Sequence, residues 1–168
     1  MIAEILVLFA VPALLAISAG WDLASFTIPN FLSLLLIALF AVFAFCAGMP
    51  LGAAGWHVAA GALALLIGFS LFAFGYVGGG DAKLFAAVTL WLGFGNLFEF
   101  AVLASLFGGA LALALMSIRR FPLPAQLNGQ GWLARLHDAK SGIPYGVALA
   151  AGALVVLPHT DVFHLAMA

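Results

Sequence analysis

The chain has 168 residues, 67% of them hydrophobic and only 7% charged, with a mean hydropathy of +1.28. A soluble domain carries about 25% charged residues, so there is too little polar surface here to coat a water-facing globule, and the solvent must be lipid. The formal net charge of −1 and the pI near 6.4 leave no basic surface for nucleic acid.

A helix needs about 20 apolar residues to cross a bilayer, and six such helices use about 120. The composition therefore predicts an all-α polytopic membrane bundle of about six transmembrane helices. It forms one integral membrane domain over residues 1–168, with nothing left for a second. The first apolar run covers Ile5 to Gly20 and is closed by Trp21-Asp22. The preceding Met1-Ile2-Ala3-Glu4 carries an acid where a secretory signal carries Lys or Arg, so this run is expected to be retained. Pro29 opens the second run, Phe31 to Ala47, because proline is tolerated in a first helical turn. Its Cys46 is read as a helix-packing residue, and a single cysteine excludes internal disulfides and a multi-cysteine zinc site.

Gly48-Met49-Pro50 punctuates the chain before a third run, Ala53 to Tyr76. Gly78-Gly79-Gly80, Asp81 and Lys83 then lead into a shorter fourth run that reaches Gly95, with Asn96 and Glu99 behind it. The fifth run is Phe100 to Ile118, and the sixth, Ile143 to Leu157, is ended by Pro158. The fourth and sixth are short for a full span. The one long polar connection, Arg119 to Gly142, holds Arg119, Arg120, Arg135 and Lys140, four of the five basic residues. Within it, Trp132 to Leu136 is either a short helix in the headgroup layer or part of a floppy basic loop. The positive-inside rule makes that side cytoplasmic, and Lys83 agrees. With six helices, the Asp22 and Asp81 loops fall on the same side and both chain ends face outward.

Two of the six acids, Asp22 and Asp81, thus stand at helix ends on one membrane face. Ionisable groups near hydrocarbon are costly and are functional candidates by default. Asp22 also reads as an interfacial helix terminus, and Asp81 as a helix cap accepting free N–H groups. The pair is more telling than either residue. Two carboxylates at close range cannot both ionise comfortably and share a proton, which is what an aspartyl protease requires. The ionised member takes a proton from water, and the other donates to the scissile carbonyl. Gly78, Gly79 and Gly80 would let a substrate backbone come close to Asp81.

Gly78-Gly79-Gly80-Asp81-Ala82-Lys83-Leu84 resembles the G-x-G-D signature of intramembrane aspartyl proteases, with the Lys-Leu that prepilin peptidases often carry. Asp22 followed six residues later by Ile28-Pro29-Asn30 resembles their other signature, and Ile143-Pro144-Tyr145-Gly146 is similar to the start of their last helix. The likeness covers nearly the whole chain and is nearest to the small prepilin peptidases of tight-adherence (Flp) pilus systems. It implies Asp22 and Asp81 as catalytic residues, with Gly78, Gly79, Gly80, Lys83, Ile28, Pro29 and Asn30 as substrate-binding or supporting motif positions. It further implies pilin or pseudopilin precursors as substrates, a leader cut at the cytoplasmic face of the bacterial inner membrane, and no cofactor. Larger prepilin peptidases add a cytoplasmic segment with two C-x-x-C pairs and also methylate. One cysteine and a short first connection predict cleavage without methyl transfer and without zinc. The presenilin branch places Pro-Ala-Leu after its aspartates, whereas Pro12-Ala13-Leu14 here precedes both.

Other chemistries are poorly supported. No H-E-x-x-H is present, and the glycine run lacks the Gly-Lys-Ser/Thr of a phosphate loop. His57, His137, His159 and His164 are scattered and read as interfacial or loop residues. Gly61, Gly68 and Gly108-Gly109 are sites where helices can pack closely. The rival from another class is a small proton- or ion-coupled transport subunit, but such sites favour broken helices near the bilayer midplane.

Overall fold

The computed structural model of the chain describes residues 1–123 and 130–168, so the centre of the Arg119–Gly142 connection lies outside the described residues. Among the described residues there are seven helices and no strand. They are α1 (Ile2–Ser25, with a π turn at Leu6–Ala10), α2 (Asn30–Cys46), α3 (Leu51–Ala73), α4 (Gly79–Ile118), α5 (Gly131–His137), α6 (Tyr145–Val156) and α7 (Asp161–Met167). Helices α1, α3 and α4 are each long and apolar enough to cross a membrane. The bent pair α6–α7, angled at 54°, adds a fourth if it is one span. The protein is an all-α polytopic membrane bundle.

The fourth and fifth apolar runs are two helices as expected, with only the boundary between them moved, and are numbered together as α4. At about 1.5 Å per residue its 40 residues would extend about 60 Å, twice the hydrocarbon core of about 30 Å. The chain breaks instead at Gly93, whose φ of 72° and ψ of 179° are far from helical. Phe85 and Phe100 would stand about 22 Å apart along a straight helix. Their rings are stacked with centroids 5.3 Å apart, so α4 folds back into two antiparallel limbs, 79–92 and 94–118. Counting the limbs separately recovers six apolar segments, but only three meet the length of a span, or four with the α6–α7 pair, since α2, the limb 79–92 and α6 alone are each too short.

Helix association in lipid relies on close packing and hydrogen bonds, because lipid tails are as apolar as the helix faces. The first limb of α4 is the hub of that packing. Every residue from Ala86 to Gly93 is buried. Trp91 donates its Nε1–H to the Leu36 carbonyl at 2.9 Å and packs its ring against Phe40 and Phe43. Gly61 and Gly68 of α3 bring backbones together as expected. A methyl at Gly61 would stand 3.2 Å from Leu90 Cβ, and one at Gly68 3.1 Å from the Ala82 backbone. Gly109, by contrast, faces open space.

Two other expectations are overturned. His57 is neither interfacial nor in a loop: it is buried in α3, its ring against Phe40 and its Nδ1 2.8 Å from the Leu90 carbonyl. A carbonyl only accepts, so the proton sits on Nδ1. Cys46 is exposed at the end of α2 and does not pack into the bundle. His57 also crowds the fold-back, since a methyl on Gly93 would lie 2.9 Å from its Cε1. Gly93→Ala is therefore expected to cost about 1–3 kcal/mol, from a backbone region essentially reserved for glycine. Titration with denaturing detergent in micelles reads this directly. An unchanged midpoint would mean the reversal does not depend on glycine.

Candidate active site

Asp22 lies one turn before the end of α1 and is 4% exposed. The helix stops because Phe26 takes a left-handed conformation, φ 55°, while its N–H still donates to the Asp22 carbonyl at 2.7 Å. Ser25 Oγ steadies the turn through the Trp21 carbonyl and the Thr27 hydroxyl. The chain then sends Ile28 inward, 7% exposed, and Pro29 precedes α2 with its φ of −60°. Asn30 is exposed and accepts a 2.8 Å hydrogen bond from Lys83 Nζ of α4. The second half of one motif is thus tied to the second half of the other.

Asp81 is the third residue of α4, half-buried, with Gly78 as the exposed residue preceding the helix. Its Oδ2 would be 2.8 Å from a methyl at Gly78. The N-cap position itself is held by Gly78, which has no side chain, and Asp81 sits in the first turn behind it. At Gly79 and Gly80 the space left by the missing Cβ is taken by the protein itself. A methyl at Gly79 would meet the Phe72 ring at 3.3 Å, and one at Gly80 would meet Ile28 at 3.1 Å. These two positions seat the protein's own side chains, which a Cβ would push away; they leave no open approach for a substrate backbone.

The last motif completes the cluster. Gly146, in the first turn of α6, donates its N–H to Asp22 Oδ2 at 2.7 Å. First-turn amides have no partner within their own helix, so this donor is available to a carboxylate. Ile28 touches both sides of the arrangement, its Cβ over Gly80 and its Cδ1 over Gly146. Tyr145 packs its ring on Gly108 and lines, together with Asp81, a cavity of about 270 Å³. Asp22 and Asp81 come from helices α1 and α4, and Ile28 reaches from the residue before Asp81 to the residue that holds Asp22. Among the described residues neither forms an ion pair with a basic side chain.

The contact from Gly146 to Asp22 was not anticipated. The Ile143-to-Gly146 run carried a resemblance, but its spacing gave no indication of which residue it would touch. The described parts of the basic connection are tied to the bundle. Its segment Trp132 to Leu136 is helical within α5, Arg119 bonds the Leu136 and Gly142 carbonyls, and Arg135 reaches the Ala24 carbonyl at 3.1 Å.

A family model described as the type IV leader peptidase family matches residues 9–113, well over half of the chain and inclusive of both aspartate motifs. The chain belongs to that family. It is accordingly a peptidase and not a transport subunit, and pilin precursors in general are its substrates. Helix α6, which supplies Gly146 and Tyr145, lies beyond the matched stretch. No curated protein and no solved structure matches the chain.

Proposed function

We propose that Asp22 and Asp81 are the catalytic dyad of an aspartyl endopeptidase that removes the leader of Flp-type pilin precursors without methylating the product. The observation that supports this reading is the placement of the two aspartates in one cluster of motif residues. They come from separate helices, and Ile28 links their surroundings, its Cβ at Gly80 beside Asp81 and its Cδ1 at Gly146, whose N–H holds Asp22. Two carboxylates brought to close range hold one proton between them. The ionised one removes a proton from water as the water oxygen bonds to the scissile carbonyl carbon. The protonated one gives its proton to the carbonyl oxygen. Collapse of the tetrahedral intermediate then breaks the C–N bond, with a proton delivered to the departing amine. Gly146 fixes Asp22 during these steps through its N–H.

The side of action follows from charge. The basic connection and Lys83 favour a cytoplasmic position for both aspartates in a bacterial inner membrane, with the chain ends outside. The absence of methyl transfer is supported by the connection between α1 and α2, which is only residues 26–29, and by the single cysteine.

The test is to express the protein in membranes with an Flp-type pilin precursor and determine the N-terminal mass of the product. Removal of the leader with an unmodified new N-terminus is the expected result. An uncut precursor would overturn the substrate assignment, and an N-terminus carrying an added methyl would overturn the peptidase-only assignment.

A further inference from the structure

The cavity beside Asp81 has walls from four segments. Ile67 and Leu71 of α3, Asp81 and Phe85 of the first limb of α4, Ala101 and Ser105 of the second limb, and Tyr145 and Leu149 of α6 each mark one helical turn. The cavity is therefore about 6 Å deep along the helices. It starts at the Asp81 carboxylate and runs inward, since Asp81 stands at the mouth of its helix and Phe85 one turn further in. Its floor and sides are small, with Gly68, Ala82 and Ala104 among them. Apart from Asp81, its polar side chains are Ser105 and Tyr145, and the Ser105 hydroxyl is already donated to the Ala101 carbonyl at 2.7 Å.

We infer that this cavity is a specificity pocket for apolar side chains of the substrate on the side of the scissile bond that lies deeper in the bundle. The inference rests on Asp81 being one of the two catalytic carboxylates. A pocket that begins at the reacting group and deepens into the bundle receives what lies deeper than the scissile bond. Its lining selects apolar groups. At about 270 Å³ it is smaller than the roughly 300–1,000 Å³ of a site for a whole small ligand, so it takes one or two side chains and not a helix.

A second, larger space of about 650 Å³ lies between α2 and α3 and is the natural competitor. It is lined by Lys83, Ala86, Ala87 and Leu90 of the first limb, on a different face from Asp81. Residues two apart on a helix do not share a face, so a substrate seated beside Lys83 would not present its bond to Asp81.

Two experiments on the full chain in membranes, with a co-expressed type IV pilin precursor, decide the matter. In the first, Ala101→Phe narrows the pocket and leaves both aspartates in the sequence. Cleavage should slow by about a hundredfold, and precursors with alanine at the first apolar positions after the cut should regain at least about tenfold. In the second, Cys46→Ala and Asp81→Asn give an inactive, cysteine-free background into which Ser105→Cys or Val58→Cys is introduced. Single cysteines are placed along the precursor's apolar segment, and copper phenanthroline supplies the oxidant for disulfide formation. Cross-links at Ser105→Cys, and none at Val58→Cys, the marker of the larger space, are expected. Wild-type cleavage by Ala101→Phe, or cross-links at Val58→Cys in place of Ser105→Cys, would overturn the inference while leaving the dyad intact. Failure of the wild-type protein to cut the precursor would instead remove the dyad reading and this inference with it.

Discussion

Asp22→Asn and Asp81→Asn are each expected to slow precursor cleavage by at least about 10³-fold, the scale set by losing positioned acid–base catalysis. Asparagine has nearly the same shape as aspartate, and its side-chain oxygen still accepts the Gly146 N–H at position 22. At position 81 it sits in the first turn of α4 behind the Gly78 N-cap and keeps the same side-chain shape, so the turn at Gly78 should survive. What it cannot do is exchange the proton that the reaction needs. The measurement is the rate at which precursor is converted in membranes, beside the amount of each variant that accumulates there. Normal accumulation with uncut precursor separates chemistry from folding. If Asp81→Asn cleaves at the wild-type rate, Asp81 is a structural residue of the first turn of α4 and nothing more. The same result at Asp22 would make it a buried terminus of α1.

Much of this arrangement was legible in the residues themselves, and the reasons for what was missed are physical. Hydropathy runs mark helices well when polar or glycine-rich breaks separate them, and Gly48-Met49-Pro50 and Gly78-Gly79-Gly80 are such breaks. The boundary between the fourth and fifth runs was placed after Gly95, near Asn96 and Glu99. The chain reverses two residues earlier, at Gly93, because the turn is buried beneath His57 and needs no polar residue. His57 itself reads as an interfacial residue from composition alone. Its partner, the Leu90 carbonyl, is 33 positions away and invisible to any local pattern. The glycines before Asp81 were read correctly as places of close approach, but what approaches is Ile28 and Phe72 of the same chain. Local spacing says that a Cβ is missing, not whose atoms fill the space. Contacts made across helices, from Gly146 to Asp22 and from Arg135 to Ala24, were beyond reach for the same reason.

Gly146→Ala should lower cleavage by about 10²-fold with only a modest loss of stability, because it moves a carboxylate and removes none. An added methyl would lie 2.7 Å from Ile28 Cδ1, 2.8 Å from Asp22 Oδ2 and 3.1 Å from Asp22 Cβ, all inside ordinary contact distance. Something must shift. The Ile28 contact is with the end of a flexible side chain and relaxes readily, whereas Asp22 is held by the Gly146 N–H that carries the new methyl's own backbone. Displacement of a reacting group by about 1 Å is worth about 10²-fold in rate, while overpacking of this kind costs about 1–3 kcal/mol of stability. The two contacts can be separated by experiment. Ile28→Val removes Cδ1, so in the double variant the methyl meets only Asp22. If Asp22 is the cause, Ile28→Val should restore the unfolding midpoint of Gly146→Ala in detergent but leave cleavage slow. Gly109→Ala, where nothing stands within 4 Å, should change neither quantity and serves as the control for an added helical methyl. Recovery of full cleavage in the double variant would show that Ile28, pressed against Gly80, sets the site's geometry, and that the amide of Gly146 does not.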